Sequence, residues 1–171
     1  MRHFSVLPAV AAALCAVLVG AAPAQAAAIP GFPAPKIFGT TFQSDPGHDF
    51  SKGISSRRDG ILRGWITHVS AGEAEYEPIR WVKGGKTEGR FTGPPEGDVT
   101  AYRSPVAKNV VFLSVTGCSR GAAAPTVNGK GLGTERCSRK ELLSRAAKSE
   151  RPSLITVYRG KIVKVQEIYT P

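Results

Sequence analysis

The apolar positions of this chain change period along its length. Val6 to Ala22 is one apolar run broken only by small residues. After the turn signal Asp59-Gly60, the stretch Ile61 to Val69 is rich in β-branched and aromatic residues and predicts a strand. Ser70-Ala71-Gly72-Glu73 makes the turn, and Ala74 to Val82 is the expected return strand. Tyr76 and Trp81 differ in parity on it, so Pro78 should mark an edge position or a bulge. Lys83 to Asp98, crowded with Gly and Pro, reads as loop, and Val99 to Arg103 as a short strand. Asn109 to Thr116 is apolar on both alternating faces, as a central strand covered on both sides should be.

Gly117 to Arg136 is a long Gly-rich loop. Ser138-Arg139-Lys140-Glu141 is a capping box and predicts a helix over about residues 139–149, with Leu142, Leu143, Ala146 and Ala147 as its apolar stripe and Pro152 beyond its end. Ser153–Tyr158 and Lys161–Tyr169 flank Arg159-Gly160, a C-terminal hairpin. Together these elements define an α+β fold, mainly antiparallel β, curled as a small barrel or open sheet with one helix. A barrel of the oligomer-binding type is the alternative description. The expected core is Trp65, Ile66, Trp81, Val111, Leu113, Val115, Leu142, Ala146, Ile155, Val157 and Ile162.

The N-terminus has the layout of an export leader. Arg2 and His3 precede the apolar run, and Ala24-Gln25-Ala26 is the small-x-small pattern cut by signal peptidase, so residues 1–26 are expected to be removed and the product secreted. The run is shorter than a bilayer span and no comparable run follows, so the mature chain is expected to lack a transmembrane segment. Leu14 before Cys15 argues against a lipid anchor. Residues 27–58 hold Pro30, Pro33, Pro35 and Pro46 and read as a linker or arm, although Phe32, Ile37, Phe38, Phe42 and Phe50 are many apolar side chains for a solvated tail. Residues 59–171 form a single β-rich domain.

Export leaves two cysteines, Cys118 and Cys137, and a disulfide between them is expected. In the chain-entropy picture such a loop adds about 3 kcal/mol. The chain carries 23 Lys and Arg against 13 Asp and Glu, a net charge of +10, and only Arg2 of the cations lies in the leader. A field of that sign attracts polyanions such as nucleic acid, acidic lipid or an anionic cell-wall polymer.

Motifs for chemistry are few. Asn128-Gly129-Lys130-Gly131-Leu132-Gly133-Thr134 has neither the spacing of a P-loop nor the setting of a dinucleotide fingerprint. Asp45-Pro46-Gly47-His48-Asp49 fits a self-capped turn better than a metal site. No sequence feature calls for a cofactor. Glu73, Glu75 and Glu77 should share one exposed face, and His68 stands near the end of its strand. The strongest constellation is basic: Lys130, Arg136, Arg139, Lys140, Arg145, Lys148 and Arg151. Arg145 and Lys148, three apart, are expected to face one way beside the disulfide loop as an anion-binding patch. No aromatic lies between Phe112 and Tyr158, which argues against specific nucleic-acid recognition by base stacking.

The tail Arg159-Gly160-Lys161-Ile162-Val163-Lys164-Val165-Gln166-Glu167-Ile168-Tyr169-Thr170-Pro171 resembles the closing segment of small exported actinobacterial proteins, which end in a β-hairpin with a Gly turn and a Tyr-x-Pro finish. The resemblance implies export and a single domain, and carries no catalytic residues. The expected function is a secreted, non-enzymatic module that binds an anionic surface or partner through its basic helix and disulfide loop. The alternatives are a small hydrolase with its site near His68 and an inhibitor that presents the loop between the cysteines. Intact mass of the exported protein should show loss of residues 1–26 and two hydrogens fewer than the reduced chain; a count of two free thiols overturns the disulfide.

Overall fold

The computed structural model describes residues 28–85, 88–118 and 124–170; the leader 1–26 lies outside the described residues. Strand β1 (Gly60–Ser70) turns through Ala71 and Gly72, both at positive φ, into β2 (Glu73–Pro78). β3 (Arg80–Val82) and β4 (Arg90–Thr92) form a separate two-stranded sheet. β5 (Tyr102–Ser114) is the longest strand, followed by β6 (Glu135–Cys137), helix α1 (Arg139–Ala146), β7 (Ser153–Tyr158) and β8 (Lys161–Glu167). Among the described residues no helix is long and apolar enough to cross a membrane.

Hydrogen-bonded neighbours run β2-β1-β7-β8-β5, and β2 pairs with β5 to close a five-stranded barrel. All of its pairings are antiparallel except β5 with β8. With its five strands numbered in chain order, the path around the barrel is 1-2-3-5-4 and back to 1, with the helix between the third and fourth in sequence. That Greek-key path is the connectivity of the oligomer-binding type of barrel. At Gly64, β1 passes from its pairing with β7 to its pairing with β2, facing Ser153 on one side and Pro78 on the other. A Cβ there would lie 2.4 Å from the Glu77 carbonyl oxygen, so this close approach requires glycine.

The barrel interior holds Leu62, Ile66, Tyr76, Val106, Val110, Phe112, Ile155, Val157, Ile162 and Val165, and Leu142 of α1 plugs one end. On β5 the buried parity belongs to Val110 and Phe112, whereas Val111 and Leu113 are half-buried. The register shift between Val106 and Val111 carries the strand around the barrel. The expected short strand at Val99 to Arg103 and the expected central strand are thus one bulged strand. Trp65 and Trp81 are likewise half-buried, in a second cluster with Ile79, Phe91, Leu154 and Ile168. The return strand expected through Val82 instead ends at Pro78; Ile79 donates its N–H to Arg63, and Trp81 leaves the barrel to pair in the small sheet. α1 is shorter than expected, because the N–H groups of Lys148 and Ser149 both bond the Arg145 carbonyl and the helix unwinds before residue 149.

The Pro-rich arm is docked on the barrel. Arg63, 2 % exposed, extends from β1 and donates from Nε to the Ile79 carbonyl (2.9 Å), from Nη1 to that of Lys36 (2.5 Å) and from Nη2 to that of Thr41 (2.6 Å). Carbonyl oxygens replace the water that this buried cation lost. Gln43 spans the same edge of β1, its Nε2 donating to the Ile61 carbonyl (2.8 Å) and its Oε1 accepting from the Arg63 N–H (2.5 Å). Phe32 meets Tyr158, and Phe38 meets Trp81 and Phe91. The apolar residues that looked too numerous for a tail are therefore the arm's docking contacts.

Leu142→Asp places a carboxylate at a position 3 % exposed and should lower stability by about 4 kcal/mol or more. Ser144→Asp, on the exposed side of the same helix, should leave the urea midpoint nearly unchanged. Equal midpoints for the two variants would mean that α1 does not plug the barrel.

Candidate anion-binding face

α1 is anchored at its start by Ser138, whose Oγ accepts from the Glu141 N–H at 3.1 Å. The Glu141 carboxylate turns forward rather than back, accepting from Arg145 Nη2 at 2.9 Å one helical turn on. Arg145 is the centre of a network. Its Nη1 donates to Ser114 Oγ (2.6 Å), Thr116 Oγ1 (3.1 Å) and Glu167 Oε1 (3.3 Å), and its Nη2 also donates to the Gly117 carbonyl (2.7 Å). Glu167 Oε2 accepts from Ser114 Oγ (2.9 Å) and the Val115 N–H (2.8 Å). The two side chains are 13 % and 4 % exposed. A carboxylate buried in a barrel wall needs a cation and several donors, and the helix supplies the cation.

The seven cations singled out in the sequence therefore divide. Arg145 points into the fold instead of facing outward with Lys148. Arg139 is also engaged, donating from Nε to the Val106 carbonyl at 3.3 Å and from Nη2 to the Gly72 carbonyl at 3.4 Å, across the β1–β2 turn. Lys140 and Ser144 are exposed on the outer side of α1, and Lys148 is exposed in the turn just beyond its end. Arg136 is exposed on β6, Lys130 on the turn that follows Asn128, and Arg151 after α1, with its Nε 3.9 Å from Glu167. Arg136, Lys130, Lys140 and Lys148 make no ion pair among the described residues.

The Gly-rich segment Asn128–Thr134 is a packed turn rather than a cradle. Asn128 Oδ1 accepts from the N–H groups of Lys130 (2.9 Å) and Leu132 (3.1 Å), and Val127 bridges to Gly133. A Cβ on Gly133 would stand 2.5 Å from the Ser114 carbonyl carbon, so this glycine serves close packing. The disulfide Cys118–Cys137, with Cα atoms 5.4 Å apart, ties the other side of the loop to β6. Residues 119–123 of that loop lie outside the described residues.

His68 is exposed and sits opposite Glu75 across the β1–β2 ladder. With Ser70, Glu73 and Arg103 these two line a cavity of about 230 Å³. Glu75 is paired with Arg103, and Glu77, farther along the same face, accepts from Trp65 Nε1 at 2.6 Å. In the arm, Asp49 accepts from the Ser51 N–H and Oγ, while Asp45 accepts from the Arg58 N–H at 3.1 Å and lies 3.8 Å from His48 Nδ1. Among the described residues no three His, Cys, Asp or Glu gather as a metal-ligand group.

Sequence reasoning missed Ser114 and Glu167, although the alternation contained them. Ser114 continues the inward series of Val110 and Phe112, and Glu167 follows Val165 at the same parity. Comparison of the chain with family models, curated proteins and solved structures found no match.

Arg145→Met should strand the Glu167 charge and cost about 3 kcal/mol. Lys148→Ala should cost no more than about 0.5 kcal/mol. Urea unfolding of both variants measures the contrast, and comparable losses would refute the division of the cations into structural and free.

Proposed function

We propose that the protein is a secreted, non-enzymatic module that associates with an anionic polymer, such as an acidic cell-wall polysaccharide, through Lys130, Arg136, Lys140, Lys148 and Arg151. The observation that carries this reading is the exposure of Lys140 on the outer side of α1, of Lys148 in the turn that follows it and of Arg136 on the strand just before it. Cations held by the fold keep the helix in place, and cations left outside it are available to phosphate or carboxylate groups. Repeating charges on a polymer suit such a surface, because each contact releases counterions and none needs a shaped pocket. No aromatic stands among these cations, so the attraction is expected to follow charge density rather than base identity.

A second reading, a small hydrolase, draws on the cavity that brings His68, Ser70 and Glu73 together, since a base, a hydroxyl and a carboxylate are the parts of an activated nucleophile. It is the weaker of the two, because its His is exposed and Glu75 is committed to Arg103. The inhibitor reading depends on the loop between the cysteines, part of which lies outside the described residues.

The test is retention of the mature protein on isolated cell walls and on DNA over a salt series, beside a variant carrying Arg136→Gln, Lys140→Gln and Lys148→Gln. Arg139 and Arg145 stay intact because they hold structure. Retention should fall with salt, with a slope reduced by about 2–3 in the variant, close to one unit per lost cation. An identical slope for both proteins, or no retention at low salt, would remove the basic face as the binding surface.

A further inference from the structure

The docked arm creates a cavity of about 400 Å³ against the end of β2 and the start of β5, within the size range of small-molecule sites. Phe42 and Phe50 from the arm and Tyr102 from the start of β5 line it; the Tyr102 ring is 1 % exposed and packed against His48, Phe50 and Tyr76, so the phenylalanines of the arm supply the accessible ring surface. Pro46, Pro78 and Pro94 complete the apolar surface. Between the rings stand Ser44, Asp45, Asp98 and Thr100, and no Lys, Arg or His lines the space, in a chain whose net charge is +10. The composition of this cavity is thus opposite to that of the helix face, and an anionic ligand finds nothing there to neutralise it.

Its polar groups are mostly acceptors. Asp98 Oδ1 accepts from the Thr100 N–H at 2.9 Å and from the Thr100 hydroxyl, which leaves Oδ2 without a hydrogen-bond partner among the described residues. Asp45 is 8 % exposed, and its Oδ1 has no hydrogen bond although Arg58 Nε lies 3.0 Å away as an ion pair. That ion pair offsets the Asp45 charge, so a ligand need not bring a cation. The Tyr102 hydroxyl stays protonated, its pKa pushed up to about 12 first by burial and then by the Asp45 charge.

We infer that this cavity binds an uncharged saccharide. A pyranose ring presents an apolar C–H face to aromatic and proline rings and a rim of hydroxyl donors to the free Oδ2 of Asp98. A proline-rich peptide would match the rings equally well. Its backbone carbonyls, however, need donors, whereas both charged groups in the lining, Asp45 and Asp98, accept only; of the lining side chains that hold hydrogens, Ser44, Tyr102, Gln43 and Thr100, the Gln43 amide and the Thr100 hydroxyl are already engaged. The site is separate from the cations proposed above to bind a polymer, and it stands or falls independently of them.

The experiment is an amide NMR titration of the isotope-labelled mature protein with N-acetylglucosamine trimer, maltotriose, glucosamine trimer and a proline-rich decapeptide. At least one of the two uncharged trisaccharides should shift the amides of Ser44, Asp98 and Thr100 with a Kd of about 0.1–5 mM. Phe42→Ala and Asp98→Asn should each weaken that binding about 10-fold. Because Asp98 is exposed, the second variant keeps the test decisive if the first fails to fold. No shift with either uncharged trisaccharide at about 20 mM, shifts unchanged in Asp98→Asn, or shifts with the peptide or the glucosamine trimer alone would each overturn the proposal.

Discussion

The architecture depends on one strand being long enough to serve three neighbours. The first residues of β5 pair with β2 and close the barrel, its middle and end run parallel to β8, and its last three residues pair with β6. Parallel pairing needs a crossover, and the crossover here contains the disulfide loop and α1. The same strand carries Tyr102 into the arm's cavity at one end and Ser114 into the Glu167 network at the other. A shorter β5 would leave an open sheet, an unplugged end and no common frame for the two sites.

Charge follows location in this molecule. Arg63, Arg139 and Arg145 are consumed by carbonyls and carboxylates of the fold, each fixing an element that sheet pairing alone does not hold: the arm, the β1–β2 turn and the helix. Arginine suits these positions because one planar group can satisfy several acceptors that converge from different segments. Lys140 of α1 and Lys148 just beyond it stay outside, as a compact, strongly hydrated ammonium prefers. The high positive charge is therefore partly mortar and partly surface, and only the surface share is available to a partner.

Much of the fold was legible because local signals agreed. The Ser138 cap, the Arg159-Gly160 turn and the alternation in β1 each specified an element without help from distant residues. What escaped was set by distant contacts. The exit of Trp81 into a second sheet depends on the Gly39 carbonyl accepting its N–H at 2.8 Å, a contact from the arm that no local pattern encodes. The inward turn of Arg145 likewise depends on Glu167, 22 positions away in sequence. Helical spacing alone grouped Arg145 with Lys148, and only burial could separate them. The cavity was illegible for the same reason, since its rings come from an arm that read as a linker and from a strand expected to be short.

The side-chain amide of Gln43 has the same donor and acceptor as a peptide group, and it meets Ile61 and Arg63 where a neighbouring strand would place its own ladder bonds. One residue thus imitates a missing strand on the margin of β1 that β2 has left. A bare margin of this kind invites edge-to-edge association between copies of a chain. The arm occupies that margin from within the same molecule, so the edge of β1 is closed to a second copy for as long as the arm stays docked.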